Sequence, residues 1–337
     1  MRRGNPRPVP SVPFAMRLVL TTALLLPGSV SAFVSRLVHP VARWHRRSVA
    51  CAAIVVVTTA AQAQPDRTAY AEGMRALRAN DAPTAVSRFE RAIALNDRVG
   101  EYHLRLGLAL GQEAFSANPV RQALIARRVK QSFERAVELD PSLVEAREGL
   151  LFFYAFAPSV MGGNPEKARE QQRELLRRDP MRGHMATATL ALRDKDTVTT
   201  ERALRQAMAA APDSAAPVIT LAQRQQAWGR TPAAFQTLDA FLTRHPNDVA
   251  ARIQFGRLAG ATGQQLARGE RLLREVLAVP SWEVNQFRPS KASVHYRLGV
   301  VLAKAGKTAD ARAAYEAALR LDPKLKPARE ALAELRG

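Results

Sequence analysis

The residues able to do chemistry in this chain are few and scattered. Histidine serves as general base or metal ligand, and four histidines follow the N-terminal segment: His103, His184, His245 and His295. Asp194-Lys195-Asp196 sets two carboxylates close together, a pattern open to acid–base work. It lies between two helical runs, where Asp is ordinary turn chemistry. Gly162-Gly163 could cradle a phosphate, yet no strand precedes it and no Lys-Ser/Thr pair follows, so a helix end and turn account for it. No G-x-S-x-G elbow, H-E-x-x-H helix or Walker loop occurs. Cys51 is the only cysteine, so beyond it the chain offers no thiol nucleophile, disulfide or thiolate metal site. The expectation is a non-enzymatic chain with no cofactor and no metal site.

What must position these residues is a repeat. Pro212, Pro246 and Pro280 lie 34 residues apart, as do Gly73 and Gly107. Seven units can be placed. Their eighth position reads Gly73, Gly107, Leu151, Ala188, Ala222, Gly256 and Gly299, mostly small, as two closely crossing helices require. The twenty-fourth reads Phe89, Phe133, Gln172, Leu204, Leu238, Leu273 and Tyr315, a large plug expected to face the next layer. The thirty-second is Asp97 and then proline at 141, 180, 212, 246, 280 and 323, expected to end each second helix. Asn118-Pro119, Asn164-Pro165 and Thr231-Pro232 read as N-caps followed by first-turn prolines. Gly229, Gly263 and Gly306 fall in turns between paired helices. Residues Pro119 to Leu139 predict a long second helix of roughly 30 Å that overhangs its neighbours. Ala157–Pro165 forms a loop inside the third unit, and Ser281–Ser290, with Trp282 and Phe287, a linker.

From Ala292 to Pro323 the chain carries Leu298-Gly299, Ala311, Tyr315, Ala318 and Pro323 at the places typical of one family. This stretch resembles the tetratricopeptide repeat, a 34-residue helix–turn–helix unit. The resemblance covers about residues 66–335. The family's fourth-position Trp is absent, and units three, four and six are degenerate. It implies an all-α, right-handed α-solenoid of seven hairpins plus a C-terminal capping helix over Lys324–Leu335, because a lone hairpin cannot bury its apolar face. Three of the histidines then stand near the fourth place of units two, four and seven, in layers about 9 Å apart, too far to share an ion.

The resemblance also implies a protein–protein interaction scaffold that holds a peptide or protein segment in a concave groove lined by the first helices. Carried over position by position, the groove residues are Phe152, Phe156, Met185, Arg193, Gln223, Gln226, Arg257, Tyr296 and Lys304. Four aromatics within Phe152–Phe156 cannot share one helix side, so packing of the third hairpin competes for them. The family's carboxylate clamp, with Lys and Asn at groove positions five and nine, is not matched by Tyr70 and Met74 or by Leu104 and Leu108. The alternative function is a structural or adaptor subunit of an envelope-assembly or secretion complex, docked through the long helix.

Residues 1–64 hold eight Arg and no acidic residue. Arg43, Arg46 and Arg47 precede the apolar run Val49–Ala60 and then Ala61-Gln62-Ala63, the order of a secretory signal peptide. A leader over 1–64 and a solenoid domain over 65–337 are expected, with export to a Gram-negative periplasm. The alternative is an inner-membrane anchor, with membrane contact only through an uncleaved leader. Lys and Arg number 50 against 30 Asp and Glu; without the leader's eight Arg the balance is 42 against 30, a net of +12. Solvated helix faces account for that charge, and so does an acidic partner segment. Nucleic acid is not indicated, since no recognition motif occurs.

Overall fold

Runs of Ala, Leu and Arg, punctuated by Asp, Asn, Gly and Pro, give helices of similar length. The computed structural model describes residues 64–114, 117–280 and 290–335. Among these, fifteen α-helices occur, paired in chain order. Helix α1 (Pro65–Arg78) pairs with α2 (Ala82–Leu95), α3 (Gly100–Ala114) with α4 (Pro119–Leu139), and α5 (Val144–Phe156) with α6 (Pro165–Arg178). Helix α7 (Pro180–Arg193) pairs with α8 (Thr197–Ala210), α9 (Ala215–Ala227) with α10 (Thr231–Arg244), and α11 (Val249–Thr262) with α12 (Leu266–Ala278). Helix α13 (Lys291–Lys304) pairs with α14 (Thr308–Leu321), and α15 (Lys326–Glu334) closes the stack, with Ala328 buried beneath it. Each second helix packs on the next first helix. First helices also stand side by side, α3 on α5, α5 on α7, α9 on α11 and α11 on α13. The chain is thus an α-solenoid of helical hairpins, as the period implied.

The small eighth position and the large twenty-fourth meet within one hairpin. The rings of Phe89, Phe133 and Tyr315 and the side chain of Leu273 lie where Cβ atoms on Gly73, Gly107, Gly299 and Gly256 would be. The plug expected to face the next layer therefore faces its own hairpin as well. Phe133 shows both contacts, being wedged between Gly107 of its own hairpin and Gly149 of the next. In the third unit Leu151 occupies the crossing, and Gln172 donates to Thr187 Oγ1 at 2.8 Å, replacing ring packing by a hydrogen bond to the next hairpin.

Caps follow local chemistry with one correction. Asn118 and Asn164 accept hydrogen bonds from the Arg121 and Lys167 amides, each at 3.0 Å. Thr231 is not a cap: α10 starts at Thr231 itself, Arg230 holds the cap position, and no side chain caps the helix. Gly229, Gly263 and Gly306 have φ of 75°, 72° and 73°, the left-handed turn that joins the helices of a pair. Pro180 opens α7 rather than following a free turn. The long α4 has the predicted bounds. Ile125 ties it to the apolar cluster of the first hairpin, while Val120 and Leu124 stay exposed. The Ala157–Pro165 loop contains a short 3-10 turn, Ser159–Met161. The leader through residue 63 and most of the linker, with Trp282 and Phe287, lie outside the described residues. Among the described residues no helix is long and apolar enough to cross a membrane.

Candidate binding face on the first helices

Charged side chains link the first helices of hairpins two to four. Arg105 Nε bonds Glu101 Oε1 at 2.6 Å, and its Nη2 lies 3.3 Å from Glu145 Oε2. Arg182 Nη1 donates to Glu148 Oε2 at 2.6 Å, joining α7 to α5. Burial raises the pKa of Glu148, and Arg182 opposes that rise.

Further along the stack the balance changes. Helices α7, α9, α11 and α13 contain no Asp or Glu. On α9 and α11 three predicted residues come together with one that the sequence did not single out. Arg257 donates through Nη2 to Gln226 Oε1 and through Nε to Gln254 Oε1, both at 2.9 Å, and Gln223 Nε2 reaches Gln254 Oε1 at 3.3 Å. Gln223, Gln226, Ala227 and Arg257 line a shallow depression of about 550 Å³. Gln254 is buried, yet among the described residues its Nε2 has no partner, and neither has the buried Nε of Arg224 on α9 or of Arg297 on α13. Burial lowers the pKa of Arg257. It does the same for Arg297, where the nearby Arg257 cation adds to the effect.

The other predicted residues are spread along the same series of helices. Phe152 and Phe156 on α5 form an exposed ring pair with centroids 4.5 Å apart, while Phe153 and Tyr154 between them are buried. Groove and packing readings thus each claim two aromatics. Met185 packs beside Ala188, Leu204 and Leu221. Arg193 is held by Asp194 through two hydrogen bonds of 2.8 and 3.2 Å. Tyr296 is half-buried with its ring 6.0 Å from that of Tyr315, and Lys304 is exposed. Gln254 and Arg297 both fall at the sixth place of their units. The signal that could have exposed them is the absence of acid from these helices, legible in the sequence.

The remaining chemistry-bearing groups serve turns and helix packing. Asp196 caps α8 by accepting from the Thr199 amide at 2.9 Å. His103 lies on α3, His184 on α7, His245 just after α10 and His295 on α13. Among the described residues no group of three or more His, Cys, Asp or Glu could hold a metal ion. A larger depression of about 700 Å³ lies on α8, but its Arg205 and Arg230 both pair with Glu201 at 2.8 Å.

This array of stacked hairpins defines the class of helical repeat proteins. The chain belongs to the tetratricopeptide repeat proteins: residues 70–114 and 292–325 match two models of that repeat. Residues 107–234 match the model of the TRAP transporter T-component. Among solved structures, yeast Tom70 aligns with a TM-score of 0.57 at 12% identity, over 82% of this chain and 57% of that one. A tetratricopeptide repeat protein from Parabacteroides merdae aligns at 0.46 and 13% identity, over 81% and 100%. Pseudomonas aeruginosa pilF aligns at 0.42 and 16%, over 71% and 98%. Of these three, the Tom70 alignment bears on the fold. No curated protein matches the chain.

Proposed function

We propose that this protein is a non-enzymatic scaffold that holds a segment of another protein along the inner face of its first helices. One observation carries the reading: first helices that line a single face expose a ring pair at Phe152 and Phe156 and then a half-buried Gln–Arg cluster. Exposed aromatics supply apolar contact, and amides with a guanidinium engage backbone and carboxylates. Export to the periplasm is part of this reading. The charged, apolar and small-residue order of the leader supports it, and so does the match of 107–234 to a transporter component.

Two measurements test it. N-terminal sequencing from the native host should find Gln64 as the first residue; an intact N-terminus rules out a cleaved leader. A photo-cross-linking amino acid at Phe152 or at Tyr296 should capture one and the same partner, whereas at Val198, exposed on α8, it should not. Equal capture from Val198 would remove the inner face from the argument.

A further inference from the structure

The depression on α8 has an uneven charge balance. Its lining holds the guanidiniums of Arg202, Arg205 and Arg230 against one carboxylate, Glu201. Arg202 and Arg205 belong to one stripe of α8, and Arg230 stands at the cap of α10 in the next hairpin. Among the described residues Arg202 forms no ion pair; its Nη2 donates to Thr199 Oγ1 at 3.1 Å. Asp196 feels the Arg202 charge, but it caps α8 and does not line the depression. Glu201 organises the other two arginines. Its Oε1 accepts from Arg205 Nη2 and its Oε2 from Arg230 Nη1, each at 2.8 Å. The Arg205 hydrogen bond, opposed by burial and joined by that of Arg230, lowers the Glu201 pKa and keeps it ionised. The Arg230 guanidinium also lies 4.7 Å from the Trp228 ring centre, a cation–π contact. Arg230 is thus held from two directions. A guanidinium has five N–H donors, and Arg205 and Arg230 each give one to Glu201. Their side chains stay 60% and 47% exposed, so the other donors are oriented yet open to a ligand.

We propose that Arg202, Arg205 and Arg230 bind the phosphate group of a phosphomonoester, with Glu201 as a positioning residue. Three cations and one anion leave a net of +2 in the lining, which matches a phosphomonoester dianion. A monoanion would leave part of that charge uncompensated. Planar guanidinium forks suit the several oxygens of a phosphate. The depression, at about 700 Å³, falls in the size range of small-molecule pockets and is larger than inorganic phosphate needs. The rest of its lining, Thr197, Val198, Gln206 and Ala209, is uncharged and leaves space for a compact uncharged body beside the phosphate. Val198 is 74% exposed and offers that body an apolar contact. The site lies on α8 and at the start of α10, both second helices, so it stands or falls independently of the groove on the first helices.

The test uses the purified full chain in phosphate-free buffer at physiological salt. Isothermal titration calorimetry compares butyl phosphate with the monoanions butyl sulfate and butyrate. Flotation with phosphatidylcholine vesicles, with and without phosphatidic acid, presents the same phosphomonoester as a lipid headgroup. A preference for the phosphomonoester of roughly tenfold or more in either format supports the site, and the format that shows it tells whether the source is soluble or a lipid. Arg205→Gln with Arg230→Gln should shrink that preference to under about twofold, with the helical circular dichroism retained. Glu201→Gln separates a built site from plain charge attraction. It makes the lining more positive but releases both guanidiniums, so binding should weaken about tenfold; stronger binding would overturn the assignment. Trp228→Leu leaves every charge in place and should weaken binding about threefold. Equal binding of the three anions, or no binding in either format, also overturns it.

Discussion

The ring of Phe133 rests on the bare Cα of Gly107, where an added Cβ would stand 2.6 Å from Phe133 Cε1. Gly111, one turn further along the same helix, faces nothing within 4 Å. The two glycines therefore respond oppositely to the same substitution. Gly107→Ala gains helix propensity of about 1 kcal/mol but drives a methyl into a fully packed ring, which costs about 1–3 kcal/mol. Gly111→Ala keeps the gain alone. Urea midpoints should fall for the first variant and rise for the second.

Lys195 occupies the turn between α7 and α8 with φ of 60°, where the equivalent turns have Asn80, Gly229, Gly263 and Gly306. A left-handed backbone costs a non-glycine residue roughly 1–2 kcal/mol, against a smaller entropic cost for glycine. Lys195→Gly should stabilise the protein by about 0.5–1 kcal/mol. Asn80→Gly should gain less, because asparagine tolerates this region. Denaturation of the two variants side by side checks the order.

Asn164 and Thr231 look alike in sequence, each followed by proline, and differ in place. Asn164→Ala removes a bond to the Lys167 amide and should cost about 1 kcal/mol. Thr231→Ala removes no cap and should change stability by less than about 0.5 kcal/mol.

His295 gives an acid-side sensitivity. Burial lowers its pKa from the ordinary 6.5, and the Arg320 and Lys291 cations lower it further. The unfolded chain thus binds this proton more readily than the folded chain. Stability rises with pH wherever the unfolded state holds more protons, so the contribution is favourable above pH 6.5 and is lost as pH falls below it. His295→Gln should flatten the fall in Tm between pH 7 and 5 relative to the parent chain.

The period made the hairpins legible because a glycine or alanine at a helix crossing and a ring opposite it are steric necessities, visible as Gly107 with Phe133 and Gly299 with Tyr315. Thr231 was misplaced because Arg230, entered from the left-handed Gly229, takes the cap and reaches Glu201, so the helix starts one residue early relative to the Asn-Pro pattern. The Gln223, Gln226 and Arg257 cluster was legible from repeat position. Gln254 and Arg297 were not. At about 100° per residue the sixth place lies just outside the arc spanned by the groove positions, and only a long side chain brings its polar end back toward that face. The same geometry split Phe152 and Phe156 from Phe153 and Tyr154.

Hairpins five to seven share one apolar cluster, from Val218 through Tyr315, which Leu332 and Leu335 extend. Hairpin four is joined to its neighbours by smaller groups, to hairpin three by Leu151 with Leu175 and Ala186, and to hairpin five by Ala188, Ala203 and Leu204 with Leu221. A linear array yields first at its thinnest junctions. Under thermal or mechanical load the chain should bend at this waist while its final third stays stiff. A tail gripped there would remain tethered as the rest of the molecule swings.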